Sequence, residues 1–263
     1  MPCLDRIRDA LSRGLPLAAG CTALGLACAA SDAAAQESAP CSARSGATAP
    51  TVVELYTSEG CNSCPPAERW VSGLAASDGV VALAFHVDYW DGLGWKDRWA
   101  QAAYSQRQVA SQRTTGARFA YTPQVVVDGR DTPDWPHRDA AALAATRHAA
   151  APVALELDGQ HGAVALRVTP VTPSSEPWTG YLAVVDDGLV SRPDAGENRG
   201  AVLKEDGVVR SLQPWRVAGT GAQPLTFTLP AAPPPGTRRR IVAVATAGEG
   251  GRPIQAVTLA CAP

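Results

Sequence analysis

Cys61 and Cys64 are the two residues of this chain whose type and spacing most directly suggest chemistry. They stand in the stretch "VVELYTSEGCNSCPPAERW", where an apolar, β-branched run predicts a strand and the residues from the first cysteine onward predict a helix. The cysteines would then open this helix, where free N–H groups and the positive end of the helix dipole favour a thiolate. Because a thiolate is the species that attacks disulfides, the spacing is compatible with a redox pair, half of a metal site or a structural disulfide.

The metal-binding alternatives differ in the ligands that they require. A structural zinc site needs four ligands, and the sequence has no second Cys-x-x-Cys or nearby set of Cys and His ligands to complete one. A copper ion bound by Cys61, Cys64 and His86 remains an alternative, since thiolates and an imidazole suit soft copper. A non-catalytic binding module, in which the Cys61–Cys64 disulfide is only structural, is a further alternative.

The start of the sequence predicts a secreted protein. Residues 1–35 combine a basic start with an apolar Ala- and Leu-rich run and end in three alanines, which is typical of a signal peptide cleaved after Ala35. A lipoprotein modified at Cys21 is the alternative. No later segment is long and apolar enough to cross a bilayer, so we expect a periplasmic or otherwise secreted bacterial protein.

Cleavage after Ala35 would leave four cysteines, namely Cys41, Cys61, Cys64 and Cys261. An even number of cysteines in an oxidising compartment suggests disulfides. Cys61 and Cys64 would form a local pair, and a structural Cys41–Cys261 bridge would join the two ends of the mature chain. In the chain-entropy description, closing so long a loop contributes ~4–5 kcal/mol to stability.

The overall composition narrows the classes of partner. The chain has 263 residues, of which 46% are hydrophobic, and a net charge of −2, so it can bury a core but lacks the basic surface that nucleic acid requires. The dense basic run Arg238–Arg240 is interpreted as a solvated strand end. We expect no cofactor besides the Cys61–Cys64 disulfide, and a protein partner that itself carries cysteines.

The pattern of elements predicts two dissimilar parts. Residues 51–151 follow the order β-α-β-α-β-β-α, whereas residues 152–263 alternate short strands with turn residues, as in an all-β, sandwich-like half. We therefore expect a signal peptide (1–35), a linker (36–50), an α/β domain (51–151) and a smaller β-rich domain (152–263) packed on it.

A second motif joins the cysteines in this interpretation. The stretch "YTPQVVVDG" places Thr122-Pro123 directly before a strand, and the order of strand, Cys-x-x-Cys, helix and Thr-Pro resembles the thioredoxin-like fold. The resemblance implies that Pro123 is a cis-proline beside the cysteines and that the backbone of Thr122 pairs with an incoming chain. It also implies an exposed Cys61 that attacks and a shielded Cys64 that resolves the mixed disulfide.

Three blocks make the chain similar to DUF1223, a bacterial family of secreted thioredoxin-like proteins of unknown function. The blocks are "VVELYTSEGCNSCPPAE", "FHVDYWDGLGWKDRWA" with "YTPQVVVDG", and "GENRGAVLKEDGVVRSL". This resemblance implies the fold and the secretion, and it supplies no substrate.

Other polar and aromatic residues complete the predicted site. Glu54 is either a buried general base on the strand before the cysteines or a solvent-facing residue, and Glu59 is expected to be a loop charge. The segment Gly196–Leu212 is either a loop folded over the cysteines or an ordinary β-hairpin. Candidate substrate contacts are Asn62, Ser63, Trp90, Tyr121 and Thr122. The sequence thus predicts a thiol–disulfide oxidoreductase acting on extracytoplasmic proteins.

Overall fold

The structure, a computed structural model, describes residues 41–146, 148–160, 162–218 and 224–261. The predicted signal peptide, its cleavage after Ala35 and the alternative lipoprotein site at Cys21 lie outside these residues. Within them, the chain forms fourteen strands and three α-helices. None of the helices described is both long and apolar enough to span a membrane.

The strands and helices follow one another along the chain with these bounds: β1 (Ser42–Arg44), β2 (Thr51–Thr57), α1 (Pro65–Ala75), β3 (Val80–His86), α2 (Ala102–Thr115), β4 (Gln124–Val127), β5 (Arg130–Asp131), α3 (Ala140–Ala144), β6 (Val153–Gln160), β7 (Ala163–Pro170), β8 (Trp178–Asp187), β9 (Leu189–Ser191), β10 (Leu203–Glu205), β11 (Val208–Val217), β12 (Pro224–Thr228), β13 (Arg238–Thr246) and β14 (Pro253–Leu259).

The largest sheet has eight strands in the order β14-β13-β8-β11-β3-β2-β4-β5. β2 and β3 run parallel, with Leu55 opposite Ala84, and β11 joins the other edge of β3 in parallel, with Val208 opposite the same Ala84. The remaining neighbouring pairs of this sheet are antiparallel. Strands from before and after residue 152 therefore belong to one mixed sheet.

The predicted fold class, an α/β thioredoxin-like domain followed by a smaller all-β half, is wrong. The structure is mostly β-sheet, and β8, β11, β13 and β14 extend the sheet that β2 to β5 begin. The physical reason is that a β-branched run indicates a buried strand without specifying its partner. The backbone of β3 thus pairs with a strand more than a hundred residues away in sequence. The division of the chain between residues 151 and 152 stays a prediction.

A second sheet, in the order β1-β6-β7-β12, covers part of the first. Alternate residues of β6 and β7, such as Leu155 and Leu166, pack with Leu182, Trp215 and Ile241 of the large sheet in the largest apolar core. β1 lies in the stretch interpreted as a linker and pairs with β6. The Cys41–Cys261 disulfide is present and connects the two ends of the described chain.

Helices α1 and α2 lie on opposite faces of the large sheet. Val53 and Leu55 of β2 pack against Val71 and Leu74 of α1. The alternate residue Tyr56 faces the other way, toward Phe85 of β3 and Tyr104 of α2. This alternation along β2 decides on which side of the sheet each polar residue near the cysteines comes to lie.

Candidate functional site

The Cys61–Cys64 disulfide lies in the turn that connects β2 to α1, here called the cysteine turn (residues 58–64). Cys64 is the N-cap residue of α1, and its N–H donates to the carbonyl oxygen of Cys61 at 3.2 Å. The Cys61 N–H donates to the carbonyl oxygen of Ser58 at 3.1 Å, and the hydroxyl of Ser63 lies 3.3 Å from the Cys61 sulfur. The sequence-predicted pair is therefore linked, and it lies at the start of a helix.

Both cysteines are completely buried, with 0% of their surface exposed, although Asn62 and Ser63 between them are exposed. The expectation that Cys61 is accessible at the end of the helix is therefore wrong for this state of the protein. A reagent in solution can therefore contact Asn62 and Ser63, but it cannot contact either sulfur.

A loop that lies much further along the sequence covers the cysteine turn. It connects β9 to β10 and is here called the cap loop (residues 192–202). The side-chain amide of Asn198 donates to the carbonyl oxygens of Glu59 at 2.9 Å and Cys61 at 3.0 Å, and the Asn62 N–H donates to Glu197 Oε2 at 3.1 Å. Of the two interpretations of Gly196–Leu212, the loop over the cysteines describes its first residues, and a turn at Gly207 into β11 describes the rest.

The start of α1 offers few hydrogen bonds to a sulfur. Pro65 and Pro66 have no N–H, and the N–H groups of Ala67 and Glu68 both donate to the carbonyl oxygen of Cys64. The free donors that usually stabilise an anion at a helix N-terminus are thus missing or already used. The two prolines fit the first turn as predicted, and they also weaken the expected stabilisation of a thiolate.

Four buried carboxyl groups surround His86 beside the cysteine turn, and they are here called the acidic cluster: Glu59, Glu68, Asp97 and Glu205. His86 Nδ1 lies 2.7 Å from Asp97 Oδ2, which also accepts the Glu59 N–H at 2.8 Å. Glu59 lies two residues before Cys61 in the turn, and Glu68 follows Cys64 by one helical turn. The interpretation of Glu59 as a loop charge is wrong, because its side chain is fully buried.

The acidic cluster is held mainly by indole and hydroxyl donors. Trp95 Nε1 donates to Glu59 Oε2 at 2.5 Å, Trp99 Nε1 to Glu205 Oε2 at 2.9 Å, and the Thr57 hydroxyl to Glu68 Oε1 at 2.6 Å. The second oxygens of Glu59 and Glu205, and His86 Nε2, have no hydrogen-bond partner among the described residues. The nearest arginine, Arg98, is half exposed, and its Nε lies 3.9 Å from Glu59 Oε1.

The protonation of the acidic cluster follows from this burial. Burial raises the pKa of Glu205 to about 8, although the charge of His86 opposes the shift. Burial also raises the pKa values of Glu59 and Glu68. Burial alone would lower the pKa of His86, but the charges of Asp97 and Glu205 raise it overall to about 10. At neutral pH, the protein therefore holds an ionised His86–Asp97 pair next to the Glu205 carboxyl group, which retains its proton.

Glu54, the predicted general base, lies on the other face of the sheet. Its Oε1 accepts hydrogen bonds from Arg107 Nη2 at 2.6 Å and from the Tyr181 hydroxyl at 2.8 Å, and the Arg107 guanidinium also bonds the Tyr56 hydroxyl. Glu54 is buried, as one alternative expected, but it faces α2 and the cysteines open α1. The structure does not bring Glu54 together with the cysteines.

The predicted Thr-Pro element is connected to the cysteine turn through Trp90. The Thr122–Pro123 peptide bond is cis, and the Thr122 hydroxyl accepts a hydrogen bond from Trp90 Nε1 at 2.8 Å. The backbone and Cβ of Trp90 lie against Gly60, where a Cβ would come within 3.2 Å of Trp90 Cβ. Tyr121 is half-buried, and its hydroxyl donates to Asp131 Oδ1 at 2.8 Å.

The copper-site alternative requires three converging ligands. In the part of the chain that the structure describes, no three His, Cys, Asp or Glu side chains are arranged to hold a metal ion. Cys61 and Cys64 are bonded to each other, and one nitrogen of His86 is engaged by Asp97. The residues of the proposed set therefore do not form a metal site in this state.

Comparison with known proteins places the chain in a family. Residues 52–245 match DUF1223, described as a protein of unknown function, and the chain belongs to this family. No curated protein matches the chain in sequence.

Two solved structures share the fold at low sequence identity. One is the crystal structure of an Agrobacterium tumefaciens protein determined by structural genomics, 23% identical, with a TM-score of 0.56 over 81% of this chain and 94% of that chain. The other is HBP35 of Porphyromonas gingivalis, 15% identical, with a TM-score of 0.57 over 82% of this chain and 76% of that chain.

Sequence reasoning missed most of the acidic cluster. For Glu68 a signal existed, because a residue four positions after Cys64 lies on the same side of a helix one turn further on. Glu205 comes from a strand whose contact with α1 depends on the unexpected sheet order. No local pattern distinguished it from a surface carboxylate.

Proposed function

We propose that this protein is a thiol–disulfide oxidoreductase that acts on protein thiols or disulfides outside the cytoplasm. The observation that carries the proposal is the disulfide between Cys61 and Cys64, the N-cap residue of α1, beside the acidic cluster. A disulfide that closes only a four-residue turn contributes about 2 kcal/mol in the chain-entropy description, less than half of what the long Cys41–Cys261 loop contributes, so stability alone is a weak reason for it.

In the proposed reaction, the reduced protein exchanges its thiols with a partner disulfide. The Cys61 thiolate attacks one partner sulfur, a Cys61–partner bond forms, and the other partner sulfur leaves as a thiolate. Cys64 then loses its proton and attacks the Cys61 sulfur, which re-forms the Cys61–Cys64 bond and releases the second partner thiolate. The partner gains two electrons and takes up two protons, and a dithiol protein must reduce the pair again.

The surroundings of the sulfurs favour the reducing direction. The two prolines leave few N–H donors for a Cys61 thiolate, and the complete burial of both sulfurs disfavours the charged form. A couple whose reduced form is poorly stabilised has a low reduction potential. We therefore assign the protein the role of a reductant and not that of a strong oxidant.

The residues predicted to contact the partner lie between the cysteines and around the cis-proline. Asn62 and Ser63 are exposed, and Trp90, Tyr121 and Thr122 are half-buried. The backbone of Thr122 would pair with an extended segment of the partner, as sheet edges do. Phe119, 64% exposed and packed edge-on against Tyr121, would extend this surface with an apolar contact.

The proposal includes export from the cytoplasm. Two disulfides among the described residues are consistent with an extracytoplasmic protein. The signal peptide of residues 1–35 is the proposed route, with lipid attachment at Cys21 as the alternative.

A second candidate function is favoured by the burial of both cysteines. A binding module without turnover, in which the Cys61–Cys64 disulfide only fixes the turn, would also bury both sulfurs. The two functions differ in whether Cys61 ever forms a bond to a partner.

A mixed-disulfide trap tests the proposed function. The Cys64→Ser variant, expressed with its signal peptide, keeps Cys61 and lacks the residue that resolves the intermediate. We expect it to accumulate partner proteins as bands on non-reducing gels that disappear on reduction, and the matched Cys61→Ser variant to accumulate none. Equal patterns from the two variants would remove the oxidoreductase proposal and leave the binding module.

A further inference from the structure

The cap loop binds the backbone on both sides of Cys61. Asn198 satisfies the carbonyl oxygens of Glu59 and Cys61, and Glu197 satisfies the N–H of Asn62. The cap loop therefore occupies the polar groups that an approaching chain would otherwise use at the attacking cysteine.

The cap loop is an ordered structure and not a loosely placed tail. Within it, the N–H of Gly200 donates to the carbonyl oxygen of Pro193 at 2.8 Å, and that of Ala201 to Asn198 at 3.0 Å. Gly196 has a φ of 71°, and a Cβ there would lie 2.9 Å from Trp95 Cβ, so the chain approaches Trp95 closely because this residue is glycine. The tip of the loop is thereby directed at the cysteine turn.

The closed arrangement does not permit exchange at the sulfur. When an external thiolate reacts with the oxidised pair, its sulfur bonds to Cys61, the Cys61–Cys64 bond breaks and Cys64 leaves as a thiolate. This step needs direct access to the Cys61 sulfur, and here both cysteines have 0% exposure. The exposed Asn62 and Ser63 bring a partner to the turn without bringing it to either sulfur.

We propose that the cap loop determines which thiols react with Cys61–Cys64, and that an extended polypeptide segment carrying a cysteine displaces it. Displacing Asn198 and Glu197 frees two acceptors and one donor of the backbone. An extended segment offers N–H and C=O groups in alternation and can satisfy both kinds, whereas a small thiol cannot. The identity of the partner rests on the proposed function; the closure of the sulfurs does not.

The rate of reduction by dithiothreitol tests the closure. Asn198→Ala removes two of the three hydrogen bonds, and we expect the Cys61–Cys64 disulfide of this variant to be reduced about tenfold faster than in the wild type, because the open form is more populated. Arg199→Ala is the matched control in the same loop, since the exposed Arg199 side chain makes no hydrogen bond or ion pair with the described residues. Its rate should equal that of the wild type.

Glu197→Ala provides a second variant, with an acceleration smaller than that of Asn198→Ala. Circular dichroism and the midpoint of urea unfolding verify that each variant is folded. If Asn198→Ala and Glu197→Ala are both folded and both react within twofold of the wild-type rate, the cap loop does not close the disulfide and the proposal is overturned.

A comparison of two thiols tests the kind of partner. An end-blocked octapeptide with one central cysteine and N-acetylcysteine amide are offered to the oxidised protein at equal thiolate concentration. We expect the octapeptide to react faster with the wild type and to lose most of this advantage with Asn198→Ala. Equal rates for both thiols with the wild type would contradict selection by an extended segment.

These outcomes separate the two proposals. Dithiothreitol reports the access to the sulfurs whether or not a natural partner exists. A faster Asn198→Ala reaction with an empty Cys64→Ser trap would keep the cap loop and remove the oxidoreductase. Trapped partners with an unchanged Asn198→Ala rate would do the reverse.

Discussion

The described part of the protein buries carboxyl groups in two different ways. Away from the cysteines, each has an arginine: Glu54 has Arg107 at 2.6 Å, and Asp186 has Arg239 in two hydrogen bonds of 2.8 and 3.0 Å. In the acidic cluster, four carboxyl groups share one buried cationic partner, His86. The large sheet therefore pairs its buried carboxylates with arginines, whereas beside the disulfide three carboxyl groups of raised pKa surround one His86–Asp97 pair.

The two arrangements have different energetic consequences. A buried carboxylate with an arginine stays ionised and becomes costly only when its partner is removed. A buried carboxyl group without such a partner raises its pKa and keeps its proton, as Glu205 does. The acidic cluster can therefore respond to pH and to the charge of a nearby thiolate.

The largest effect should follow from breaking an arginine-paired group. Arg107→Ala leaves Glu54 buried with only the Tyr181 hydroxyl, and we expect the free energy of unfolding to fall by about 3–5 kcal/mol. Urea unfolding measures it. The control is Arg98→Ala, which removes the half-exposed arginine near Glu59 and should cost less than about 1 kcal/mol. Similar losses in the free energy of unfolding for both variants would contradict the distinction between the arginine-paired carboxylates and the acidic cluster.

The acidic cluster should make stability depend on pH. Because the folded-state pKa of Glu205 is raised, its stabilising contribution is complete below its ordinary pKa of 4.5 and is lost as the pH rises through about 8. Glu205→Gln should therefore gain stability over the wild type between pH 5 and pH 9, by at least about 1.4 kcal/mol, the value of one pKa unit.

Urea unfolding at pH 5, 7 and 9 measures this gain. The Gln side chain still accepts the hydrogen bond of Trp99 Nε1, so packing is preserved. His86, whose pKa is raised to about 10, should add a loss in the same direction above its ordinary 6.5 in both proteins. A Glu205→Gln difference that does not change with pH would show that Glu205 is ionised throughout.

The smallest effect should appear in the reduction potential. Glu59→Gln replaces a buried carboxyl group two residues from Cys61 with a neutral amide, so no negative charge can form there and the reduced form becomes less unfavourable at pH 8.5. We expect the potential of the Cys61–Cys64 couple to rise by about 30 mV, a tenfold change in the equilibrium constant. Redox titration measures it, with the exposed Glu249→Gln as a control that should not shift. An unchanged potential in Glu59→Gln would uncouple the acidic cluster from the disulfide.

Sequence patterns of neighbouring residues predict the individual strands and helices of this molecule. The β-branched residues of β2, the two prolines in the first turn of α1 and the alternation along β6 and β7 each identify an element, because each depends on neighbours in sequence. The Cys61–Cys64 bond is likewise a local feature. The pairing of β11 with β3 depends on a backbone edge, which no residue type encodes.

The sequence predicts the cysteine pair of the candidate site but not the cap loop that covers it. Cys61 and Cys64 were found from their spacing, but the closure by Asn198 required knowing that β9 and β10 lie next to α1. The composition of Arg238–Arg240 predicts a solvated strand end, and this prediction is wrong. Arg239 is buried and pairs with Asp186, and Arg240 is mostly buried and pairs with Asp187. Residue type alone predicts exposure for an arginine, and a buried acidic partner from another strand reverses it.

The reduction potential of the wild-type Cys61–Cys64 couple distinguishes a disulfide that turns over from one that is only structural. Folded protein is equilibrated with dithiothreitol and glutathione buffers, and the thiol state of these two cysteines is read by alkylation and mass spectrometry. We expect reversible reduction of the folded protein between about −300 and −200 mV, in the range of disulfides that turn over. A potential below about −300 mV, or reduction only after unfolding, would contradict it and identify the disulfide as structural.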